Sequence, residues 1–203
     1  MIIKFNKENN SNFSNNSLKQ KVKILIEIFL FNLISIFRLE NLYYYPKIQV
    51  CLCSIGKREN KYAREFVVHY LKYGVDKIYL YDNNDIDDEK FENILSDFIK
   101  NKSVEIINIR GKRGVQKESM NDCYKNHYTK YNWFLFYDMD EFIFLKGIKN
   151  IKFYLSQSCF KKCQVIHLNW VMHSDNNLLF YNNKSLKERF PKRTKSLNQS
   201  LFI

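Results

Sequence analysis

The protein has 203 residues, of which 45% are hydrophobic and 16% aromatic. This composition excludes a disordered chain and predicts one domain of α/β size with a sizeable core. The formal net charge of +12 suits a nucleic acid, a diphosphate substrate or an anionic membrane surface. Nucleic-acid binding is the remote alternative, because most basic residues are lysines spread along the chain without a dense arginine-rich block.

Residues 1–44 are predicted to precede the globular domain. The first 20 residues are rich in Asn, Ser and Lys and lack apolar periodicity, so we expect no ordered structure there. Residues 24–37 form an apolar run that would make a helix of about 21 Å, which is short for a membrane span. With basic residues on both sides, it fits a helix on the inner face of a membrane or an accessory helix packed on the domain, better than an anchor.

Residues 45–203 are predicted to form the globular domain, in which strands alternate with helices. Runs rich in β-branched and aromatic residues predict strands at residues 47–54, 77–81, 104–109, 133–137 and 164–172. Apolar residues at helical spacing predict helices at residues 62–73, 91–99, 116–128 and 148–160. This alternation predicts a Rossmann-like α/β fold, with a mainly parallel sheet and helices on both faces.

Polar clusters follow the first, second and fourth predicted strands, at residues 54–60, 82–85 and 138–141. In open parallel sheets, ligands bind beyond the carboxyl ends of the strands, where these clusters would meet. No glycine-rich fingerprint of the dinucleotide or P-loop kind follows the first strand, which disfavours those nucleotide folds. The sequence therefore predicts a different ligand site at this edge.

The third cluster is acidic and reads YDMDEF at residues 137–142. On an extended backbone, Asp138 and Asp140 would point one way and Met139 the other. Two crowded carboxylates repel each other, and a bound Mg²⁺ or Mn²⁺ offsets the repulsion while also taking phosphate oxygens. The motif predicts a metal–diphosphate site, although taken alone it also fits a solvated acidic turn.

The five cysteines are odd in number and form no paired CxxC motifs. This usage disfavours a disulfide framework and a structural zinc site, and it predicts buried free thiols. Free thiols favour a reducing compartment. We therefore expect a cytoplasmic protein, with peripheral attachment to the inner membrane face as the variant that the apolar run allows.

Several segments, taken together and in order, resemble glycosyltransferases of the GT-A fold, in particular the branch around families 2 and 92 with a single Asp-x-Asp motif. The segments that carry the resemblance are residues 56–60, 62, 64–66, 74–78, 81–84, 133–142, 169–170, 175–176 and 188–190. The resemblance implies a metal-dependent transfer of a sugar from a nucleotide-sugar donor, with a UDP-sugar favoured, to a hydroxyl of a carbohydrate acceptor. Mn²⁺ or Mg²⁺ would be the cofactor.

The resemblance also implies roles for residues that bind the donor. Asp140 would ligate the cation directly, and Asp138 would share the cation and bind ribose or sugar hydroxyls. Glu59 and Asp82 would contact the base and the ribose.

Two further residues are candidates on the acceptor side. Asp175 would take the proton of the attacking hydroxyl in an inverting enzyme, and an Asx turn is its alternative. Trp170 would form an apolar wall for a sugar ring, and core packing is its alternative. Many relatives continue further and supply a later histidine to the metal, so we expect a domain that is incomplete at its C-terminus. A non-catalytic pseudo-glycosyltransferase is therefore the main alternative function.

Overall fold

The computed structural model describes residues 2–4, 22, 25, 26, 29, 47–145, 147–174, 180 and 184–192. The chain forms two compact units, Met1–Ile166 and His167–Ile203.

Within the described residues, the first unit is built on a six-stranded sheet. Its strands are β1 (Ile2–Lys4), β2 (Val50–Gly56), β3 (Lys77–Asp82), β4 (Val104–Asn108), β5 (Trp133–Phe136) and β6 (Val165–Ile166). Across the sheet the order is β4-β3-β2-β5-β1-β6. The first four of these are parallel to one another, whereas β1 is antiparallel to both β5 and β6.

Helices connect the parallel strands. The described helices of the first unit are α1 (Asn60–Lys72), α2 (Glu92–Lys100), α3 (Gln116–His127) and α4 (Ile151–Ser156), followed by a 3₁₀ turn at Ser158–Phe160. The parallel strands β3, β4 and β5 are therefore each reached through a helix, as the crossover between parallel strands requires.

Both faces of the parallel sheet are covered. On one face, Cys123 of α3 packs among alternate residues of β2, β3 and β5, namely Cys51, Cys53, Tyr79, Tyr81, Phe134 and Phe136. The residues that alternate with these, Leu52, Ile78, Leu80 and Leu135, are fully buried as well. Such two-sided burial explains why the strands are almost uniformly apolar in sequence. The predicted fold class, α/β with a mainly parallel Rossmann-like sheet flanked by helices, is confirmed.

Three predicted elements differ from the structure. Ile2–Lys4 forms a strand where no ordered structure was expected. The strand predicted at residues 164–172 is only Val165–Ile166, because its partner β1 is itself three residues long. The helix predicted at residues 148–160 is split because Gln157 has an extended backbone, with ψ at 144°.

Most of the apolar run at residues 24–37 lies outside the described residues. Leu25, Ile26 and Phe29 are described, together with Val22 just before the run; all four are helical, and their side chains are exposed. In the described part of the chain, every helix is too short or too polar to cross a bilayer.

All five cysteines are free, as predicted. Cys51, Cys53 and Cys123 are buried in the core cluster, and Cys159 and Cys163 are half-buried.

The described part of the second unit contains one short helix, α5 (Leu186–Arg189). Ser185 and Glu188 form a capping box at its N-terminus. The imidazole Nδ1 of His173 donates to the carbonyl oxygen of Phe190 at 2.7 Å. These contacts hold the segment around α5 together.

Candidate functional site

The acidic motif follows β5 as a turn, so the predicted extended backbone is wrong. The strand ends at Phe136, and the amide of Glu141 donates to the carbonyl oxygen of Asp138 at 3.0 Å. Burial nevertheless alternates, because Met139 is fully buried while Asp138 and Asp140 are exposed. Both carboxylates can therefore meet a ligand. Residues 138–141 are called the acidic turn below.

The acidic turn is fixed on two sides. Met139 packs so closely on Gly56, at the end of β2, that a Cβ at position 56 would overlap its sulfur. After the turn, the hydroxyl of Tyr70 donates to the carbonyl oxygen of Glu141 at 2.8 Å and accepts from the amide of Ile143 at 3.3 Å. The turn is thus held between the end of β2 and α1.

Glu59, the residue just before α1, lies beside the acidic turn. Its Oε2 is 3.2 Å from the position that a Cβ on Gly56 would occupy. Burial and the charges of Asp140 and Asp138 raise the pKa of Glu59 to about 7. Burial and the charge of Asp140 also raise the pKa of Asp138. The structure therefore brings together Glu59, Asp138 and Asp140, three of the residues proposed from sequence.

An open cavity adjoins the acidic turn. The side-chain amide of Gln116, at the start of α3, donates to Oδ1 of Asp138 at 2.9 Å. Gln116 also lines a cavity of about 310 Å³ beyond the ends of β2 and β3. The other residues that line it are Ile55, Gly56, Lys57, Asn83, Gly114 and Val115. This cavity offers room for a ligand next to Asp138.

Asp82, at the end of β3, is engaged within the protein. Its side chain is 1% exposed. Oδ1 accepts from the backbone and side-chain amides of Asn84 at 3.0 and 2.8 Å, and Oδ2 accepts from Nη1 of Arg110 at 2.8 Å. Asp82 therefore shapes the loop that follows it. Its predicted contact with the donor stays a prediction, and it would require one of these oxygens to be shared.

Arg110 is a site residue that the sequence did not reveal. Its side chain is 9% exposed, and its Nη2 lies 2.7–2.9 Å from the carbonyl oxygens of Asp85, Asp88 and Glu89. These partners lie 21 to 25 residues earlier in the chain. No local pattern indicates such contacts; the only signal is an arginine directly after a strand. Residues 83–90, which Arg110 holds, are called the second loop.

The first loop, residues 57–59, is bound to the second loop by ion pairs. Nζ of Lys57 lies 2.8 Å from Asp85, and the guanidinium of Arg58 lies 3.1 Å from Asp85 and 2.7 Å from Asp88. The hydrogen bond from Lys57 lowers the pKa of Asp85, and that from Arg58 lowers the pKa of Asp88. All four side chains are at least partly exposed, so these pairs join the loops without a large gain in stability.

The acidic turn fits a divalent cation that arrives with a diphosphate. No set of three or more His, Cys, Asp and Glu residues suited to a metal occurs in the described ranges. Mg²⁺ typically takes only one or two protein carboxylates and completes its shell with phosphate oxygens and water, which Asp138 and Asp140 can satisfy. A cation would also relieve the repulsion that contributes to the raised pKa values of Asp138 and Glu59.

The acceptor-side candidates from sequence are Asp175 and Trp170. Asp175 lies outside the described residues. Trp170 belongs to the second unit, where its side chain is 76% exposed, so core packing does not describe it. The roles of both residues in catalysis stay predictions.

Comparison with known proteins gives a match to a family model. The model of glycosyltransferase family 92 matches residues 46–201, which is well over half of the chain and includes the acidic turn and both loops. No curated protein and no solved structure matches the chain.

Proposed function

The chain belongs to glycosyltransferase family 92, and we propose that it moves a sugar from a nucleotide-sugar donor to a hydroxyl of a carbohydrate acceptor, using Mg²⁺ or Mn²⁺. A UDP-sugar is the favoured donor. One observation carries the proposal, which is the grouping of Asp138, Asp140 and Glu59 at the carboxyl ends of the neighbouring strands β5 and β2. Ligands bind at this edge of parallel sheets.

Asp138 and Asp140 would hold the cation. When bound, the cation stabilises the negative charge on the departing nucleoside diphosphate. Gln116 orients Asp138 through its hydrogen bond, and the buried Met139 fixes the backbone between the two carboxylates. The chain thus presents its charged groups in a geometry set before the ligand arrives, which lowers the cost of binding.

The remaining groups have roles that fit the same reaction. The cavity beside Gln116 receives part of the donor, next to Asp138, and Glu59 contacts the base or the ribose. Asp175 acts as the base that removes the proton of the attacking hydroxyl, and Trp170 stacks on a sugar ring of the acceptor.

Thermal unfolding with and without ligand tests the donor site. UDP with Mn²⁺ should raise the melting temperature of the wild type, since a ligand at 100 times its Kd stabilises by about 2.7 kcal/mol. Asp140→Asn should abolish the rise. Glu105→Gln, which changes an exposed carboxylate on β4, is the matched control and should keep the rise. The proposal fails if no nucleoside diphosphate stabilises the wild type, or if Asp140→Asn is stabilised equally.

Release of UDP from UDP-sugars in the presence of carbohydrate acceptors separates transfer from binding alone. Release that depends on both Mn²⁺ and Asp138 supports the enzyme. Stabilisation by UDP with Mn²⁺ but no release from any donor and acceptor pair would instead favour the non-catalytic pseudo-glycosyltransferase.

We also propose that the protein associates peripherally with the cytoplasmic face of a membrane. Val22, Leu25, Ile26 and Phe29 follow helical spacing, and their side chains are 48–65% exposed. An apolar helix stripe next to the lysines of residues 19–23 suits an anionic bilayer surface.

Sedimentation with vesicles tests this association. The wild type should bind phosphatidylglycerol vesicles more strongly than phosphatidylcholine vesicles. Leu25→Glu should weaken binding, and Phe144→Glu, at an exposed apolar position of the first unit, should not. Equal binding by wild type and Leu25→Glu would contradict the proposal.

A further inference from the structure

The guanidinium of Arg110 is the common anchor of Asp82 and the second loop. One of its nitrogens bonds the carboxylate of Asp82, and another lies within 2.9 Å of three backbone carbonyl oxygens. A planar fork of donors can satisfy acceptors in several fixed directions at once, whereas the ammonium of lysine is a point charge on a flexible stem. The arrangement therefore requires the planar guanidinium of an arginine, and the positive charge of a lysine would not replace it.

The second loop holds the amide that precedes Glu59. Asn84 is fully buried and is fixed through Asp82. Its Oδ1 accepts from the amide of Arg58 at 2.6 Å. The backbone of Arg58 has a φ of +59°, which is uncommon for a residue with a side chain. The hydrogen bond to Asn84 helps to maintain this conformation.

The second loop also holds the amide that follows Glu59. Asn60 is the first residue of α1, and its amide donates to Oε1 of Glu89 at 2.8 Å. A carboxylate is favoured at this end of a helix because the first amides lack partners within the helix. The carbonyl oxygen of Glu89 accepts in turn from Arg110 at 2.9 Å. Glu59 therefore lies between two amides that depend on the same loop.

We propose that Arg110 is a positioning residue for the donor site: it fixes the second loop, whose Asn84 and Glu89 hold the amides on either side of Glu59, and so sets the place of the Glu59 carboxylate beside Asp138 and Asp140. The inference rests on the proposed function for its consequence in binding. Its structural part, the dependence of the first loop on Arg110, stands apart from any ligand.

Hydrogen exchange without ligand tests the structural part. In Arg110→Lys, the amides of Arg58 and Asn60 should exchange about tenfold faster than in the wild type, because their acceptors lose support. Arg64→Lys is the matched control, since Arg64 makes a similar bidentate contact with Asp97 on the exposed surface of α1, and it should leave both amides unchanged. Wild-type exchange at Arg58 and Asn60 in Arg110→Lys would overturn the inference.

Titration calorimetry with UDP and Mn²⁺, well below the melting temperature, tests the consequence in binding. Arg110→Lys should weaken affinity about tenfold, the lower end of what support groups behind metal sites contribute. In a Glu59→Gln background the same substitution should have little further effect, because both changes act through one carboxylate. A purely structural role would lower the melting temperature and leave affinity unchanged, and that result would overturn the inference.

Two further outcomes are possible, which are that the wild type does not bind UDP and that Arg110→Lys does not fold. If the wild type does not bind UDP with Mn²⁺, the proposed function fails, and the exchange experiment alone decides whether Arg110 fixes the first loop. If Arg110→Lys does not fold, Glu89→Ala replaces it, because this change removes the side-chain acceptor of the Asn60 amide and keeps Arg110. Faster exchange and weaker binding in Glu89→Ala would support the inference, and wild-type values of either would overturn it.

Discussion

Two acidic clusters at the same edge of the sheet have opposite electrostatic surroundings. The cluster after β3 is neutralised by the protein. Asp82 pairs with Arg110 inside the fold, and Asp85 and Asp88 pair with the basic side chains of the first loop. Hydrogen bonds from those side chains lower the pKa values of Asp85 and Asp88.

The acidic turn after β5 is not neutralised in this way. In the part of the chain that the structure describes, no lysine or arginine forms an ion pair with Asp138, Asp140 or Glu141. Burial and neighbouring carboxylates raise the pKa values of Asp138 and Glu141. Acidic residues at equivalent strand ends therefore serve different purposes. The paired cluster shapes loops, and the unpaired one is suited to a cation from solution.

The largest expected effect is a loss of stability when the carboxylate of Asp82 is removed from the cluster after β3. Asp82→Ala leaves the guanidinium of Arg110 buried without its carboxylate, and we expect a loss of about 3–5 kcal/mol in the free energy of unfolding. Urea denaturation measures it. Asp97→Ala, which breaks the exposed pair with Arg64, is the control and should cost much less. Equal losses in the two variants would show that the buried pair of Asp82 and Arg110 stabilises the fold no more than the exposed pair of Asp97 and Arg64.

A smaller effect should follow from crowding the support of the acidic turn. In Gly56→Ala, the added Cβ would overlap the sulfur of Met139 and lie 2.8 Å from Cζ of Phe91. Overpacking of this kind costs about 1–3 kcal/mol. Because Met139 fixes the acidic turn, the variant should also show a reduced thermal shift with UDP and Mn²⁺.

Gly114→Ala is the matched control for the loss of stability in Gly56→Ala. A Cβ at position 114 meets no atom within 4 Å, so only the φ of +65° opposes the change. Gly114→Ala should therefore lose stability without displacing Met139. An unchanged shift with UDP and Mn²⁺ in Gly56→Ala would show that the packing of Met139 does not position the acidic turn.

The smallest effect should be the pH dependence that Glu59 contributes. Burial and Asp140 raise its pKa from 4.5 to about 7 on folding, so the folded state holds this proton more tightly than the unfolded state. The associated stability is full below pH 4.5 and is lost as the pH rises through 7. Without divalent cations, Glu59→Gln should therefore match the wild type at pH 4 and unfold at a higher temperature at pH 8.

Thermal unfolding in chelating buffer measures this difference. It should be modest, because Glu59 is partly exposed and solvent screens its charge. Adding Mn²⁺ and UDP at pH 8 should reverse the order of the two proteins. A wild type as stable as Glu59→Gln at pH 8 without cation would mean that the acidic turn does not repel Glu59.

The parallel sheet could be predicted from sequence because a strand that is buried on both faces is a contiguous run of apolar residues. The predicted strand at residues 77–81 is observed as Lys77–Asp82, and the predicted helix at residues 116–128 as Gln116–His127. The meeting of Glu59 with Asp138 and Asp140 also followed, because parallel strands end at one edge.

The rest of the site depends on contacts that leave no local pattern. Arg110 donates hydrogen bonds to backbone carbonyl oxygens, which every residue carries. The amino-acid sequence therefore does not indicate which residues are its partners. The turn at residues 138–141 exposes both aspartates by a route other than strand alternation, since the buried Met139 is anchored by Gly56. Asp82 can be buried because it pairs with Arg110. Its burial could not be predicted from sequence, since the contacts of Arg110 could not.

The position of β1 makes assembly of the sheet a late event. Ile2 pairs with Leu135 and with Ile166, which both lie far from it along the chain. Bringing such distant segments together is entropically costly, which slows the final step of folding. Until then β5 presents an unpaired edge that can recruit another chain. We therefore expect refolding molecules to aggregate most readily in the interval before Ile2–Lys4 closes that edge.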